Sequence, residues 1–317
     1  LVACGEGARD TSSTLPVPDS AADAAADAEG FSAPTASTLA AQATAATELP
    51  LADAQDFEDA TRGRIAGDPA VEIAGPDGTA IWRTQEYAFL EGEAPPTVHP
   101  SLWRQARLNA THGLFEVAKG IYQVRGYDLS NLTLIEGRTG WIIVDPLTAK
   151  ETAAAAMALV TRHFGPRRVS ALIFTHSHID HFGGVGGVVS QEDAASNALP
   201  IVAPRNFLEE ATSENVLAGI AMGRRASFMY GFALPRSGRG HVDSGLGKAP
   251  ARGTIGILEP TILVDRTPQE IELDGVRFVF QYAPDSEAPA ELTFYLPDAK
   301  AWCGAEIVSH NLHNLYT

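Results

Sequence analysis

The sequence is poor in several features that particular classes of protein require. Its 317 residues include only two cysteines, Cys4 and Cys303, so a small domain stapled by disulfides is excluded. No apolar run of about 18 residues occurs, so the sequence predicts no membrane-spanning helix. Basic residues are scarce: 23 Lys and Arg stand against 39 Asp and Glu, a net charge of −16. Because an acidic surface repels phosphate backbones, we expect no nucleic-acid partner.

The first 50 residues have little from which to build a core. They hold fifteen alanines but a single aromatic residue, Phe31, and a single basic residue, Arg9. Such a segment buries too little apolar surface to offset the entropy of ordering, so we interpret residues 1–50 as a disordered acidic tether. The alternative is a loose helix over Ala21–Ala28 or Thr38–Thr47, since alanine favours helix.

The chain opens with Leu1-Val2-Ala3-Cys4, which resembles the end of a bacterial lipoprotein signal. The resemblance implies that Cys4 is lipidated and that this lipid anchor is the protein's only attachment to a membrane. We therefore expect a location in the bacterial cell envelope, either anchored and facing the periplasm or secreted. The alternative is chance, because small and aliphatic residues before a cysteine are common.

From about Leu51 the composition is globular, and strand and helix patterns alternate. A short helix pattern ends at Gly63, and residues 81–83 and 87–90 are extended candidates. Apolar residues at helical spacing predict a helix over Lys150–Phe164. Strands are predicted at 121–124, 132–136, 141–145, 169–175, 199–203, 271–273, 276–280, 292–296 and 301–303. Strands, a helix and then strands again favour an α+β sandwich with αββα layers.

The segment from Thr175 to Gly184 carries the most informative pattern. Four potential metal ligands fall within six residues directly after an apolar strand: His176, His178, Asp180 and His181. Side chains at alternate positions can converge on one point, and the last two residues can face a second point nearby. Imidazole and carboxylate suit zinc, or iron or manganese in a similar site. A single buried histidine is more often a hydrogen-bonded core residue, but this density favours a metal site.

This His-x-His-x-Asp-His run resembles the signature of the metallo-β-lactamase superfamily. The preceding order of elements is also similar: a hairpin ending at Asp145, a helix, and a strand leading into the motif. The resemblance implies the αβ/βα sandwich of that superfamily over residues 116–317, with a binuclear metal site at one edge. Residues 51–115 would form an N-terminal arm that packs on this catalytic domain.

Two glutamates point to one branch of the superfamily. Where many members supply a histidine and later an aspartate, this chain has Glu287 and Glu306, each after an apolar strand. This pair resembles the bacterial alkylsulfatases, which hydrolyse dodecyl sulfate and similar detergents, and the resemblance covers about residues 51–317. The alternative is that both are ordinary solvent-exposed glutamates.

The resemblance implies two zinc ions as cofactors. His176, His178 and Glu287 would hold one ion, Asp180 and His181 the other, and Glu306 would lie near or between both. Asp180 would also take part in catalysis by orienting the attacking water. The same branch completes its second site with a histidine beyond the position of Thr317, and continues with a helical dimerisation region and a lipid-carrier-like domain. We therefore expect a C-terminally incomplete sandwich, weak or no turnover from these 317 residues, and a homodimeric full-length protein.

Residues 224–252 contain six basic side chains and one acid, Asp243, in an otherwise acidic chain. A cationic, glycine-rich segment can bind an oxyanion through backbone N–H groups and charge-assisted hydrogen bonds. The resemblance places contacts with the sulfate of the substrate at Lys248, Arg252, Gly253, Thr254 and Asn314. The alternative is a solvated loop with scattered arginines.

Together these patterns predict zinc-dependent hydrolysis of alkyl sulfate esters to alcohol and sulfate by metal-activated water. Two alternatives stay open. One is another hydrolase of the same fold, such as a thioesterase or lactamase. The other is a non-catalytic surface lipoprotein that uses the fold to bind a ligand.

Overall fold

A computed structural model of the protein describes residues 30–190, 192–193 and 198–309. Ten strands precede residue 265: β1 Arg64–Ala66, β2 Glu72–Ala74, β3 Ala80–Arg83, β4 Gly113–Ala118, β5 Ile121–Arg125, β6 Leu132–Glu136, β7 Trp141–Val144, β8 Val169–Ile173, β9 Ile201–Pro204 and β10 Ile262–Val264. Eight of them form one sheet in the order β1-β4-β5-β6-β7-β8-β9-β10, and β2 pairs with β3. Pairing is antiparallel up to β7 and parallel from β7 to β10.

A second sheet of four antiparallel strands follows in chain order. Its strands are β11 Gln269–Leu273, β12 Val276–Tyr282, β13 Leu292–Leu296 and β14 Ala301–Cys303. Tyr295 and Trp302, on its outer face, are 38% and 50% exposed. Within the described part of the chain, no helix covers this face.

Six α-helices are described: α1 Ala36–Glu48, α2 Gln55–Thr61, α3 Pro100–Leu108, α4 Lys150–Phe164, α5 Phe207–Thr212 and α6 Gly219–Tyr230. Short 3₁₀ segments cover Thr84–Glu91, Ile179–His181 and Gly183–Gly187, and one π-helical turn covers Ser213–Leu217. Among the described helices none combines the length and apolarity needed to cross a bilayer.

The alternation of side chains along each strand builds two apolar layers on the large sheet. On one face, Ile143 and Leu172 are fully buried in a cluster that includes the inner side of α4. On the other face, Ile142 and Ile173 pack in a cluster with Phe280 of the second sheet. Burial of each such side chain contributes about 1.5–3 kcal/mol. These two layers fix the ends of β7 and β8, where the predicted metal ligands begin.

Most predicted elements agree with the structure. The helix over Lys150–Phe164 has the predicted bounds. The hairpins around residues 137–140 and 274–275 pair as expected, and the strands at 292–296 and 301–303 are present. Extended structure at 81–83 is confirmed by β3, but the extended candidate at 87–90 is wrong, because this segment is 3₁₀-helical with Tyr87 and Leu90 buried.

Two expectations for the N-terminal part need correction. Disorder up to residue 50 is wrong for Ala36–Glu48, where Thr35 caps α1 and the alanine-rich segment is helical, as the alternative held. This helix contacts α3 of the globular part, and the side-chain amide of Gln42, oriented with its nitrogen towards Pro96 and Val98, can donate to their carbonyls. The domain boundary expected at residue 116 falls inside β4, so the arm and the catalytic domain share one sheet.

Candidate metal centre

The site lies at the carboxyl ends of β7 and β8, which are adjacent and parallel. Asp145 ends β7 with φ at 54°, and its N–H donates to the Ile173 carbonyl at 3.0 Å. Its carboxylate accepts hydrogen bonds from the N–H of Thr175 at 2.8 Å and from the Thr175 hydroxyl at 2.7 Å. Asp145 therefore fixes the start of the loop that carries the His-x-His-x-Asp-His run.

Glycine is required where this loop passes over the loop after β7. A side chain at Gly183 would collide with the carbonyl oxygen of Thr148, and one at Gly184 with that of Pro146. The sequence therefore lets the end of the motif pack directly against neighbouring backbone. That packing holds Asp180 and His181 beside the strand ends.

The second sheet brings in the first glutamate. His176 and Glu291 form an isolated β-bridge, and the N–H of Leu292 donates to the Thr175 carbonyl at 2.8 Å. The Glu291 side chain is fully buried, and its Oε2 accepts from Ser286 Oγ at 2.8 Å and from the N–H of Glu287 at 2.9 Å. Glu291 thereby folds the turn between β12 and β13 so that Glu287 faces the histidines.

The structure brings all six predicted ligands together. His178 Nδ1 lies 3.1 Å from Glu287 Oε2, and His181 Nε2 lies 3.1 Å from Glu306 Oε2. Donor atoms of two groups lie within 4.8 Å of one another: His176, His178, Glu287 and Glu306 in the first, and Asp180, His181 and Glu306 in the second. Glu306 belongs to both groups.

The hydrogen bond of His176 to Thr175 identifies which of its two ring nitrogens faces the cluster. The single hydroxyl proton of Thr175 goes to Asp145 Oδ2, so Thr175 Oγ1 can only accept from His176 Nδ1, 2.9 Å away. Nε2 of His176 is the ring nitrogen that faces the cluster. It is buried without a hydrogen-bond partner, 3.5 Å from Glu306 Oε2 and 3.8 Å from Glu287 Oε2.

Two histidines of the cluster have raised pKa values, because carboxylates surround their rings. Burial lowers the pKa of His178, but the carboxylates of Glu214 and Glu287 outweigh it and raise that pKa to about 10. Burial likewise opposes protonation of His181, and Asp180 and Asp145 raise its pKa well above the ordinary value. The neighbouring carboxylates therefore favour the protonated, positively charged forms of His178 and His181.

These observations fit a pair of divalent cations. The unpartnered Nε2 of His176 is the kind of buried atom that a metal satisfies, and a buried polar atom without a partner is costly. Imidazole nitrogens with carboxylate oxygens are a zinc-type donor set. Three overlapping groups of side chains could hold such an ion: His176, His178, Glu287 and Glu306; Asp180, His181 and Glu306; and Asp145, His176 and His181.

Lys248, a predicted substrate contact, is buried and paired within the protein. Its side chain is 7% exposed, and Nζ donates to Asp243 Oδ2 at 2.9 Å and to the Ala106 carbonyl at 2.7 Å. Asp243 is also buried, so the only acid of residues 224–252 neutralises one of its cations inside the protein. The charge count of the sequence could not show that this lysine points inward.

The predicted substrate contacts that follow Lys248 in the chain lie in different environments. Arg252 is exposed. Gly253 packs against the start of α4, where a side chain would collide with the Glu151 carboxylate. Thr254 donates to Glu151 through its N–H at 2.8 Å and its hydroxyl at 2.6 Å, so it fastens the loop. Asn314 and Cys4 lie outside the described residues.

A groove of about 750 Å³ adjoins the cluster at Ile179, the residue between His178 and Asp180. Apolar and cationic side chains line it together, and they include Ile81, Trp82, Phe232, Ile255, Arg236 and Arg252. Such a groove can accept an apolar chain with an anionic group.

Sequence reasoning missed two functional candidates near the cluster. Glu214 lies on the π-helical turn, and its Oε1 is 3.5 Å from His178 Nε2. Glu291 holds the turn that carries Glu287. Neither belongs to a local pattern in the sequence. Asp145 was noticed only as the end of a hairpin, although an acid directly after an apolar strand was a usable signal.

Comparisons with known proteins agree with this geometry. A model of the metallo-beta-lactamase superfamily matches residues 125–300. The alkyl/aryl-sulfatase BDS1 of Saccharomyces cerevisiae is 49% identical over 281 residues, which cover 88% of this chain and 44% of that protein. The linear primary-alkylsulfatase of a Pseudomonas species is 48% identical over 285 residues, which cover 89% and 42% of the two chains.

A solved structure agrees as well. The stereoselective inverting sec-alkylsulfatase Pisa1 from Pseudomonas sp. matches with a TM-score of 0.78 and 41% identity, over 83% of this chain and 42% of that one. The chain therefore spans less than half the length of these relatives. The predicted α+β fold is confirmed, and the chain belongs to the metallo-β-lactamase superfamily.

Proposed function

We propose that the protein hydrolyses alkyl sulfate esters to alcohol and sulfate, using two zinc ions bound by the six clustered side chains. The observation that carries the proposal is the convergence of Glu287 and Glu306 on the three histidines, because this glutamate pair is what resembles the alkylsulfatases. The relatives at 48–49% identity bear the names of alkylsulfatases, which supports the same chemistry here.

The ligand sets follow from the distances. His176, His178 and Glu287 would hold one ion, and Asp180 and His181 the other, with Glu306 close to both. Ions bound there would lower the pKa of a water molecule and stabilise negative charge on the departing sulfate. Without cations the carboxylates would repel a sulfate ester, so the substrate requires the loaded site.

Asp180 would position the nucleophile. Its backbone carbonyl accepts a hydrogen bond from the Ser130 hydroxyl, which holds the residue at the edge of the cluster. Burial raises the pKa of its carboxyl, but the charge of His181 outweighs burial and lowers it. The ionised form of Asp180 is therefore favoured, and its carboxylate can accept a hydrogen bond from the attacking water and orient it. His181 is fixed from behind by Asp145 Oδ2, 2.9 Å from its Nδ1.

The groove beside Ile179 would receive the substrate. Its apolar wall suits the alkyl chain, and Arg252 at its edge supplies positive charge for the sulfate in a protein of net charge −16. Arg252 replaces Lys248 in this role, because the ammonium group of Lys248 is already paired with Asp243.

The direct test compares substrates and metal content on the full-length protein. We expect about two equivalents of zinc, hydrolysis of dodecyl sulfate, and little hydrolysis of a thioester or a β-lactam. Glu287→Gln should abolish dodecyl sulfate hydrolysis, whereas Glu209→Gln, an exposed glutamate on α5, should leave it unchanged. Preference for a thioester or lactam would favour another hydrolase of the fold, and absence of metal would favour a ligand-binding protein. Hydrolysis in ¹⁸O-water would show whether carbon or sulfur is attacked.

We further propose a lipid anchor at Cys4, a location in the bacterial cell envelope, and a homodimeric full-length protein. The support is the resemblance of residues 1–4 to a lipoprotein signal and of the chain to dimeric alkylsulfatases. Mass spectrometry of membrane-extracted protein should show a diacylglyceryl mass on Cys4. An unmodified Cys4 in the mature chain would contradict the anchor, and a monomer in light scattering would contradict the dimer.

A further inference from the structure

The three imidazoles of the cluster are held from behind by three different residues. His176 Nδ1 faces Thr175 Oγ1 at 2.9 Å, and His181 Nδ1 faces Asp145 Oδ2 at 2.9 Å. In both rings the other nitrogen, Nε2, points into the cluster. His178 is turned the opposite way: Nδ1 faces Glu287 in the cluster, and Nε2 faces Glu214 Oε1 at 3.5 Å.

Glu214 is placed by a local irregularity of the backbone. It lies on the π-helical turn Ser213–Leu217, between α5 and α6, and such turns are frequent at functional sites. Its second oxygen, Oε2, accepts from the Ser177 hydroxyl at 3.1 Å, and its side chain is 17% exposed. Ser177 lies between His176 and His178 in the chain. The carboxylate is therefore attached to the very loop whose histidine it faces.

We propose that Glu214 is a positioning residue for His178. Its carboxylate can only accept, so it holds the proton of His178 on Nε2 and leaves the lone pair of Nδ1 directed at the first metal position. His178 Nε2 and Glu214 Oε1 are 3.5 Å apart, and a shift of a few tenths of an ångström would bring them within hydrogen-bonding distance. Such distances in an active site often shorten by this amount when a ligand binds. Glu214 then does for His178 what Asp145 does for His181.

The inference goes beyond the ligand set because Glu214 would touch neither metal nor substrate. It predicts a specific cost: loss of an outer partner of a metal-bound histidine weakens metal binding by about 10–100-fold. It rests on the metal site of the proposed function but not on the sulfate ester as substrate. Metal binding itself is therefore the appropriate readout.

The experiment measures zinc affinity by chelator competition and the absorption spectrum of the cobalt(II) form, using the full-length protein and four variants. In Glu214→Ala we expect the equivalent held by His176, His178 and Glu287 to lose about 10–100-fold in affinity, with a changed cobalt(II) spectrum. Glu214→Gln should recover most of the affinity, because its amide oxygen still accepts from Nε2–H. Glu209→Ala and Glu209→Gln, on the neighbouring helix, should bind like the unmodified protein.

Two results would overturn the inference. One is a Glu214→Ala protein that binds both equivalents with unchanged affinity and spectrum. The other is a loss in Glu214→Ala that Glu214→Gln shares in full, together with a matching loss of melting temperature, which would mark a structural role only. If Glu214→Ala fails to fold, Glu214→Gln and Ser177→Ala decide by the same readouts, since Ser177→Ala should loosen Glu214 and weaken binding mildly. Failure of the unmodified protein to bind metal would overturn the proposed function as well.

Discussion

Two buried clusters of charged side chains lie in this fold, and they are completed in opposite ways. Around Lys248, the ammonium group is shared by Asp243 and the Ala106 carbonyl, and Asp243 Oδ1 accepts from Asn109 Nδ2 at 3.0 Å and from the N–H of Gly245 at 2.7 Å. At the strand ends, by contrast, His176 Nε2 is buried with no hydrogen-bond partner.

The difference separates a structural ion pair from a binding site. Buried charges are tolerated when geometry and hydrogen bonds satisfy them, and the Lys248 cluster meets that condition from within the chain. In the cluster of histidines and carboxylates, Nε2 of His176 has no hydrogen-bond partner, and a bound cation would satisfy it. Charge alone does not distinguish the two clusters, whereas the convergence of metal-ligating side chains at the strand ends does.

Removing a ligand should give the largest effect. We expect His176→Ala to lose zinc and to lower dodecyl sulfate hydrolysis by about 10⁴-fold or more, since the pKa of the attacking water would stay several units higher. The metal-free variant should also be less stable than the unmodified metal-free protein, because the substitution removes a fully buried ring and its hydrogen bond to Thr175 Oγ1. Zinc analysis and calorimetry check both statements. If His176→Ala kept its full zinc content, His176 would not be a metal ligand, and the contrast between the two buried clusters would not hold.

Breaking the other cluster should affect stability and not metal. We expect Lys248→Met to lower the free energy of unfolding by about 3–5 kcal/mol, because it leaves Asp243 buried and uncompensated. Denaturant unfolding measures this, and zinc content should be unchanged. The double variant Lys248→Met, Asp243→Asn should be less destabilised than the single one. A loss of zinc without a loss of stability in Lys248→Met would reverse the two roles.

An effect of intermediate size is expected at Glu291, whose side chain holds the turn that carries Glu287. Glu291→Gln should cost about 1.5–3 kcal/mol, since an amide replaces a carboxylate that accepts three hydrogen bonds at its Oε2. It should also weaken zinc binding, because the turn carrying Glu287 would loosen. Denaturant unfolding and chelator competition on one preparation would show both changes. A change in stability with unaltered zinc affinity would contradict the link to Glu287.

The smallest effect is a pH dependence of the metal-free protein. The pKa of His178 is raised from 6.5 to about 10, so the stability it contributes is complete below about pH 6.5 and is lost as the pH rises through 10. We expect the melting temperature of the metal-free protein to fall by a few degrees over that range, and the fall to be smaller in His178→Gln, where only His181 still has a raised histidine pKa.

A histidine beside the Lys248 cluster provides the control. Burial, with the charges of Arg236 and Lys248, lowers the pKa of His241 to about 4, so it is neutral throughout this pH range. His241→Gln should therefore keep the slope of melting temperature against pH. A slope that disappears in His241→Gln and persists in His178→Gln would contradict the assignment.

The sequence predicted what depends on local pattern and strand period. The hairpins, the helix Lys150–Phe164 and the convergence of His176 and His178 follow from residue spacing, because strand geometry dictates where such side chains point. Glu287 and Glu306 came from resemblance to a family, since their approach to the motif depends on the second sheet. No local signal brings Glu287 across the 109 positions that separate it from His178, or shows that Glu291 folds the turn.

The errors have the same physical origin. Lys248 looked available because composition records charge but not burial, and only tertiary structure places Asp243 against it. The 3₁₀ segment Thr84–Glu91 forms where Tyr87 and Leu90 pack inward, although their pattern suggested a strand. Glu214 was invisible because a π-helical turn shifts its direction relative to the regular helical period.

The central claim is that six side chains hold two cations, and anomalous diffraction at the zinc absorption edge tests it most directly. We predict two peaks, one bounded by His176, His178 and Glu287 and the other beside Asp180 and His181, with Glu306 close to both. No peak at the ends of β7 and β8 in zinc-supplemented crystals, or a peak that leaves Glu287 and Glu306 unbound, would contradict the account.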